Sequence, residues 1–183
     1  MSIMLSDQNG RRLLALAREN IIHYLNTHTM LPTADIPPEF QEKRGVFVTL
    51  KYKENLRGCI GYPEPIYPLY TALLDSSVSA AIRDPRFSPV TAEEMNEITL
   101  EITVLTPPSQ IEPDPSNVSV GMDGLCVERG FFKGILLPQV ATEWGWDAEE
   151  FLCQTCMKAG LPPDCWLDGE TRVYTFQGQI FSE

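Results

Sequence analysis

GVFVTLKYKENLRGCIGY, residues 45–62, reads as two strands around a short polar turn at Lys53–Asn55. Working outward, residues 11–27 carry Leu13, Leu14, Ala17, Ile21, Tyr24 and Leu25 at helical spacing. A Pro-bearing connection, LPTADIPPEF, joins that helix to the hairpin. Residues 66–83 read as a second helix, which Pro85 stops. Its later half carries Ser76, Ser77, Ser79, Ala80 and Ala81, small side chains that permit close approach to a sheet. Thr91 with Glu94 predicts a capping box on a short helical turn. ITLEITVL at 98–105 is a strand stopped by Pro107-Pro108, and PPSQIEPDPSN reads as loop. SVGMDGLCVERGFFKGILLPQ suggests short strands punctuated by glycines, PQVATEW a helix opened by Pro138, and TRVYTFQGQIF a final strand. Hairpins and separated helices, with no regular βαβ alternation, predict an α+β fold with a mainly antiparallel sheet and flanking helices.

The chain has 183 residues, 43% of them hydrophobic, enough for a well-filled core. One domain over 1–183 is expected, with room for a two-lobe organisation. No apolar run approaches the roughly 20 residues that span a bilayer, and the start lacks the order of a secretory signal. A cytoplasmic protein without membrane attachment is therefore the expectation. The net charge of -11 is uneven: residues 1–91 hold 10 basic and 9 acidic residues, residues 92–183 hold 4 and 16. Such acidity argues against general nucleic-acid binding, where phosphate neutralisation supplies most affinity. The exception is 43–57, with Lys43, Arg44, Lys51, Lys53 and Arg57 against only Glu54. It reads as a solvated strand and turn surface, or as a site for a small anionic ligand.

Five cysteines, an odd number, point to reduced thiols. Cys153-x-x-Cys156 lies inside a helix predicted from Asp147 to Gly160, more than a turn beyond the N-terminal amides that activate redox cysteines. Cys156 falls on its apolar face. Cys165 offers a third sulfur, but no fourth ligand is in sight, so no metal is assigned.

Within Leu56–Tyr62, strand alternation puts Leu56, Ile60 and Tyr62 on one face and Arg57, Cys59 and Gly61 on the other. A guanidinium beside a thiol favours thiolate, hence nucleophilic or metal-binding chemistry. Gly58 and Gly61 leave Cys59 unobstructed and let a ligand come close to the backbone. The competing reading is a bulge or bend around a half-buried, inert cysteine. In LEITV, Glu101 and Thr103 share the polar face, where Glu101 would pair with Arg57 or accept a proton. The alternative is an exposed strand carboxylate. Asp84 and Arg86 of Asp84-Pro85-Arg86-Phe87 either line a pocket or serve turn chemistry. Pro138-Gln139 either offers free amides to an anionic group or simply opens a helix. His23 and His28 are the only histidines, and neither is placed as a base for Cys59. A cysteine-protease arrangement lacks its second member.

GVFVTL, LRGCIGY, DPRFSPVT, LEITVLTPP, GILLPQVATEWGWDAEEFL and KAGLPPDCW together resemble the AMMECR family over about residues 10–182, with its LRGCIG signature intact at Leu56–Gly61. The resemblance implies an α+β protein of two unequal lobes, with signature residues facing a cleft. It implies no particular reaction, substrate or cofactor, and the cofactor is left unknown. Carried onto this chain, the cleft residues are Arg57, Gly58, Cys59, Gly61, Asp84, Arg86, Glu101, Pro138 and Gln139. For an enzyme or ligand handler, Cys59, Arg57 and Glu101 are the expected catalytic set, and the others are expected to bind ligand. The family's prokaryotic neighbours, Memo-type and radical SAM proteins, are the expected protein partners. An enzyme or small-ligand handler using Cys59 and a non-catalytic interaction module are the two functional expectations.

Overall fold

The computed structural model describes residues 4–32 and 35–183. Two residues of the LPTADIPPEF connection, 33 and 34, and three at the start therefore lie outside the described residues. The chain divides into two compact units, one running up to Leu105 and including Gln179–Glu183, the other Thr106–Gly178.

In the first unit, helix α1 (Asp7–Thr27) begins four residues before the predicted start, because the Ser6 hydroxyl accepts the Asn9 N–H and caps it. After the short α2 (Pro38–Gln41) comes the hairpin of β1 (Val46–Tyr52) and β2 (Asn55–Tyr62), then α3 (Leu69–Ile82) and β3 (Ile98–Leu105). Strand β1 pairs antiparallel with β2 on one side and β3 on the other, leaving β2 outermost. Val46, Val48 and Leu50 of β1 and Leu100, Ile102 and Val104 of β3 share one face. They form a core with Leu13, Leu14, Ala17 and Ile21 of α1 and Leu69, Ala72 and Leu73 of α3. The small residues of α3 act as expected: the helix packs on β1 and β2. A Cβ added at Gly58 would sit 2.1 Å from the Ala80 carbonyl oxygen. The predicted capping box is complete, with Thr91 Oγ1 accepting the Glu94 N–H and the Glu94 carboxylate accepting the Thr91 N–H.

The second unit contains β4 (Ser109–Ile111), β5 (Asp123–Arg129), β6 (Phe132–Leu136), α4 (Pro138–Trp144), α5 (Ala148–Lys158) and most of β7 (Arg172–Ser182). Strand β5 pairs antiparallel with β6 and β7, and β4 with β7. The last residues of β7 belong to the first unit. Strand β4 falls in the stretch expected to be loop; three residues suffice because Val173–Thr175 of β7 offer a ready ladder. The core of this unit gathers Leu125, Val127, Phe151, Leu152, Cys156, Trp166 and Val173. The fold class is the α+β, antiparallel-sheet arrangement expected. Among the described residues, no helix is long and apolar enough to cross a membrane.

Candidate functional site

Of the predicted site residues of the first unit, Cys59, Asp84 and Arg86 come together at β2, while Arg57 and Glu101 take other partners, and one local irregularity decides the direction of Arg57. Leu50 lies opposite Gly58 and Lys51 opposite Leu56, so Arg57 has no partner on β1. An extra residue of this kind bends a strand and resets its alternation. Leu56, expected on the core face, is consequently exposed at 43%. Arg57 does not reach Glu101. It makes a two-point pair with Glu94, Nε to Oε1 and Nη2 to Oε2 both at 3.2 Å, and its Nη1 donates to the Ser88 carbonyl at 2.9 Å. The expectation of Arg57 paired with Glu101 is therefore corrected: the bulge turns the guanidinium toward the capping turn at Thr91–Glu94. Glu94 is held below the usual carboxylate range, first by the Thr91 N–H and then by the Arg57 side chain.

Beyond the bulge the alternation resumes. Cys59 faces Thr49 on β1, and Thr49 faces Glu101 on β3. The three occupy one row of the sheet, so strand spacing alone puts the Cys59 and Glu101 backbones about 9–10 Å apart. Thr49 Oγ1 donates to Cys59 Sγ at 3.2 Å. Glu101 takes Lys51 Nζ at 2.8 Å and the Ser182 hydroxyl at 3.2 Å. The Lys51 ammonium is held above its ordinary range chiefly by that Glu101 hydrogen bond. Glu101 lines a hollow of about 150 Å³ with Lys51, Glu54, Thr99 and Ser182.

Asp84-Pro85-Arg86-Phe87 is a tight turn, with Phe87 N–H donating to the Asp84 carbonyl and Arg86 N–H to Asp84 Oδ1. Pro at the second position and Asp at the first are the residues such a turn favours. The same Asp84 carboxylate reaches across to β2 and accepts the Cys59 N–H through Oδ2 at 2.9 Å. Arg86 closes the clamp, Nε to Oδ1 at 3.0 Å and Nη2 to Oδ2 at 2.7 Å, with Nη2 also reaching the Cys59 carbonyl at 3.3 Å. The Asp84 side chain is 2% exposed and the Arg86 side chain 55%. Hydrogen bonding from Arg86, and then from the Cys59 and Arg86 amides, holds Asp84 far below the ordinary carboxylate value against the opposing effect of burial. Turn chemistry and a place beside Cys59 are thus combined in one motif.

The two signature glycines are explained by packing. Gly58 is backed by the Ala80 carbonyl, and a Cβ at Gly61 would sit 2.2 Å from the Val46 carbonyl oxygen and 2.6 Å from the Phe47 ring. Their small size serves close helix–sheet and strand–strand contact. Pro138 and Gln139 open α4 in the second unit, where Gln139 contributes its carbonyl to the Thr142 hydroxyl. His23, half-buried, bonds the Thr29 hydroxyl. Among the described residues, no group of three or more His, Cys, Asp and Glu side chains could hold a metal ion.

Sequence reasoning missed Thr49, and it missed the pairing of Lys51 with Glu101 and of Glu94 with Arg57. Thr49 and Lys51 were legible as the outward face of β1, opposite Val46, Val48 and Leu50, but their cross-strand partners depend on register. The cysteines hold a second correction. Cys156 and Cys165 form a disulfide, and Cys59 and Cys153 are free thiols. The two bonded sulfurs come together because the turn after α5 folds back on it, a proximity that neither cysteine number nor spacing reveals.

The family model described as AMMECR1 matches residues 14–181. A protein of Methanothermobacter thermautotrophicus is 59% identical, covering 98% of this chain and 96% of its own length. A protein of Pyrococcus furiosus is 55% identical over 98% of this chain and 90% of the relative. The crystal structure of an uncharacterised protein from Pyrococcus horikoshii is similar at a TM-score of 0.78 and 52% identity, covering 98% of this chain and 93% of that one.

Proposed function

The chain belongs to the AMMECR1 family, and from that footing we propose that its first unit handles a small anionic, electrophilic ligand at Cys59, with the sulfur as nucleophile. The observation that carries this reading is the clamp: Asp84 and Arg86 grip both backbone groups of Cys59 while Thr49 donates to its sulfur. Preorganised donors around a nucleophile reduce what must be rearranged in the reaction. The Asp84–Arg86 pair is neutral as a whole, but its carboxylate is buried and its guanidinium half-exposed. The side met by solvent is therefore cationic, which suits a carboxylate or phosphate. Arg86 takes the cationic role first expected of Arg57. Glu101, held by Lys51, flanks the row from the far side of Thr49 and supplies a carboxylate for proton exchange with solvent.

The test compares alkylation of Cys59 by iodoacetate and by iodoacetamide, read by mass spectrometry on the folded chain. Cys59 should react at least about tenfold faster than buried Cys126 and favour the anionic reagent. Arg86→Lys should retain that preference, Arg86→Gln should lose it several-fold, and Arg57→Ala should leave it unchanged. Labelling of Cys59 no faster than that of Cys126, or an anion preference indifferent to Arg86→Gln, overturns the proposal.

A second reading has its own observation. At the β5–β6 turn Phe131 is fully exposed and Phe132 is 54% exposed, and the later half of the chain is strongly acidic. Exposed neighbouring aromatics fit a docking point, here for a protein with an apolar pocket and a basic rim, such as the Memo-type or radical SAM proteins that the resemblance brings in. Binding to such a purified partner should survive Cys59→Ser and be lost in Phe131→Ser. Binding unaffected by Phe131→Ser removes this reading.

A further inference from the structure

The second unit holds three cysteines whose arrangement goes beyond a structural crosslink. The Cys156–Cys165 disulfide is shut away from solvent, with Cys156 fully buried and Cys165 2% exposed. A thiol from solution has no direct approach to either sulfur. Cys153 is different: it is free and half-buried, and it packs against the same hydrophobic cluster that encloses Cys156 and Cys165. It also stands three residues before Cys156 on α5. Residues at that separation lie over one another on a helix surface. Helix geometry sets their Cα atoms about 5 Å apart, inside the window of about 4.4–6.8 Å that a disulfide spans. Cys156 thus has two bridging partners within reach, Cys165 with a Cα separation of 6.2 Å and Cys153 one helical turn away.

We infer that Cys153, Cys156 and Cys165 form a thiol–disulfide exchange site that passes the buried disulfide to the surface, where a low-molecular-weight thiol accepts it. In the first step the Cys153 thiolate attacks Cys156 Sγ. The Cys153–Cys156 bond forms, the Cys156–Cys165 bond breaks, and Cys165 leaves as a thiolate that takes up the proton given up by Cys153. The number of disulfides is unchanged, so this step needs no oxidant. In the second step an external thiolate attacks Cys153 Sγ. A mixed disulfide forms on Cys153, and Cys156 departs as a thiolate and is protonated. The external thiol is oxidised into the mixed disulfide, and the Cys156–Cys165 pair ends reduced. Cys153 is the only residue of the three that is not buried, so the adduct belongs on Cys153.

The experiment uses glutathione on the folded chain, quenched with acid and N-ethylmaleimide and mapped by mass spectrometry without reduction. The expected result is a glutathione adduct on Cys153 with N-ethylmaleimide on Cys156 and Cys165. In Cys153→Ser, and equally in Cys153→Ala, the adduct should vanish and loss of the Cys156–Cys165 disulfide should slow at least about tenfold. Circular dichroism confirms that both variants are folded. Glutathione on Cys156 or Cys165, loss of the disulfide at an unchanged rate in both variants, or a wild-type chain that forms no adduct overturns the inference. None of these outcomes touches Cys59, so the exchange site stands or falls apart from the proposed function.

Discussion

The peptide N–H of Cys59 donates to Asp84 Oδ2 at 2.9 Å, joining the outermost strand to the turn that follows α3. One carboxylate thereby serves the turn, the Arg86 guanidinium and the backbone beside the candidate nucleophile. Its removal should be felt at all three.

Asp84→Asn keeps the shape and loses the charge. With a buried carboxylate accepting several hydrogen bonds, the variant should lose about 1–3 kcal/mol of stability near neutral pH. The folded-state value lies below the ordinary 3.8. The stabilisation is therefore complete above about pH 4 and is lost as pH falls further toward the depressed value. Urea unfolding at pH 7 and pH 3 checks this: the gap between wild type and variant should narrow at the lower pH.

Gly58→Ala drives a methyl group against the Ala80 carbonyl oxygen. The obstacle is backbone, so no side chain can move aside. Overpacking of this kind costs about 1–3 kcal/mol or more. Adding Ala80→Gly should bring no recovery, because the clashing atom remains. Thermal unfolding of the single and double variants provides the measurement, and recovery in the double variant would contradict the packing account.

Tyr62 should ionise late. Its hydroxyl donates to Asp75 Oδ2 at 2.6 Å, and this hydrogen bond, then partial burial, pushes its pKa up to about 12. A raised value contributes stability below the unfolded tyrosine's pKa near 10, and the contribution is lost as pH rises toward 12. An ultraviolet titration should show one late tyrosinate step, which moves toward 10 in Asp75→Asn and disappears in Tyr62→Phe.

The Arg57–Glu94 pair should couple more strongly than Arg83–Asp75. The first is a two-point pair with side chains 14% and 33% exposed, the second a single 3.5 Å contact with 50% and 38%. Double-mutant cycles to alanine should give about 1 kcal/mol or more for the first and a few tenths for the second.

What could be read in advance follows the range of the forces involved. The β1–β2 hairpin, the strand at 98–105, α4 from Pro138 to Trp144 and the Thr91–Glu94 box depend on local alternation or spacing, and the residues declare them. The bulge at Arg57 does not announce itself, since one extra residue in a strand leaves the same composition. Its effect is large all the same, exposing Leu56 and handing Arg57 to Glu94. The Lys51–Glu101 pair depends on the register of β1 against β3, and the hold of Asp84 on Cys59 spans 25 positions. The Cys156–Cys165 bond requires the turn after α5 to double back. These are meetings made by tertiary folding, beyond any local pattern. The structure brings Asp84 and Arg86 to the Cys59 backbone and leaves Glu101 across β1 from it, while the expected Arg57–Glu101 pairing gives way to Arg57–Glu94.

Strands at the rim of a sheet are templates on which further chains polymerise, through whatever amide and carbonyl groups they leave unsatisfied. At the midpoint of β2 those groups are already taken by Asp84 and Arg86. The turn therefore keeps a further strand from pairing at that point of the edge. Loss of Asp84 should turn a monodisperse preparation into one that seeds aggregates.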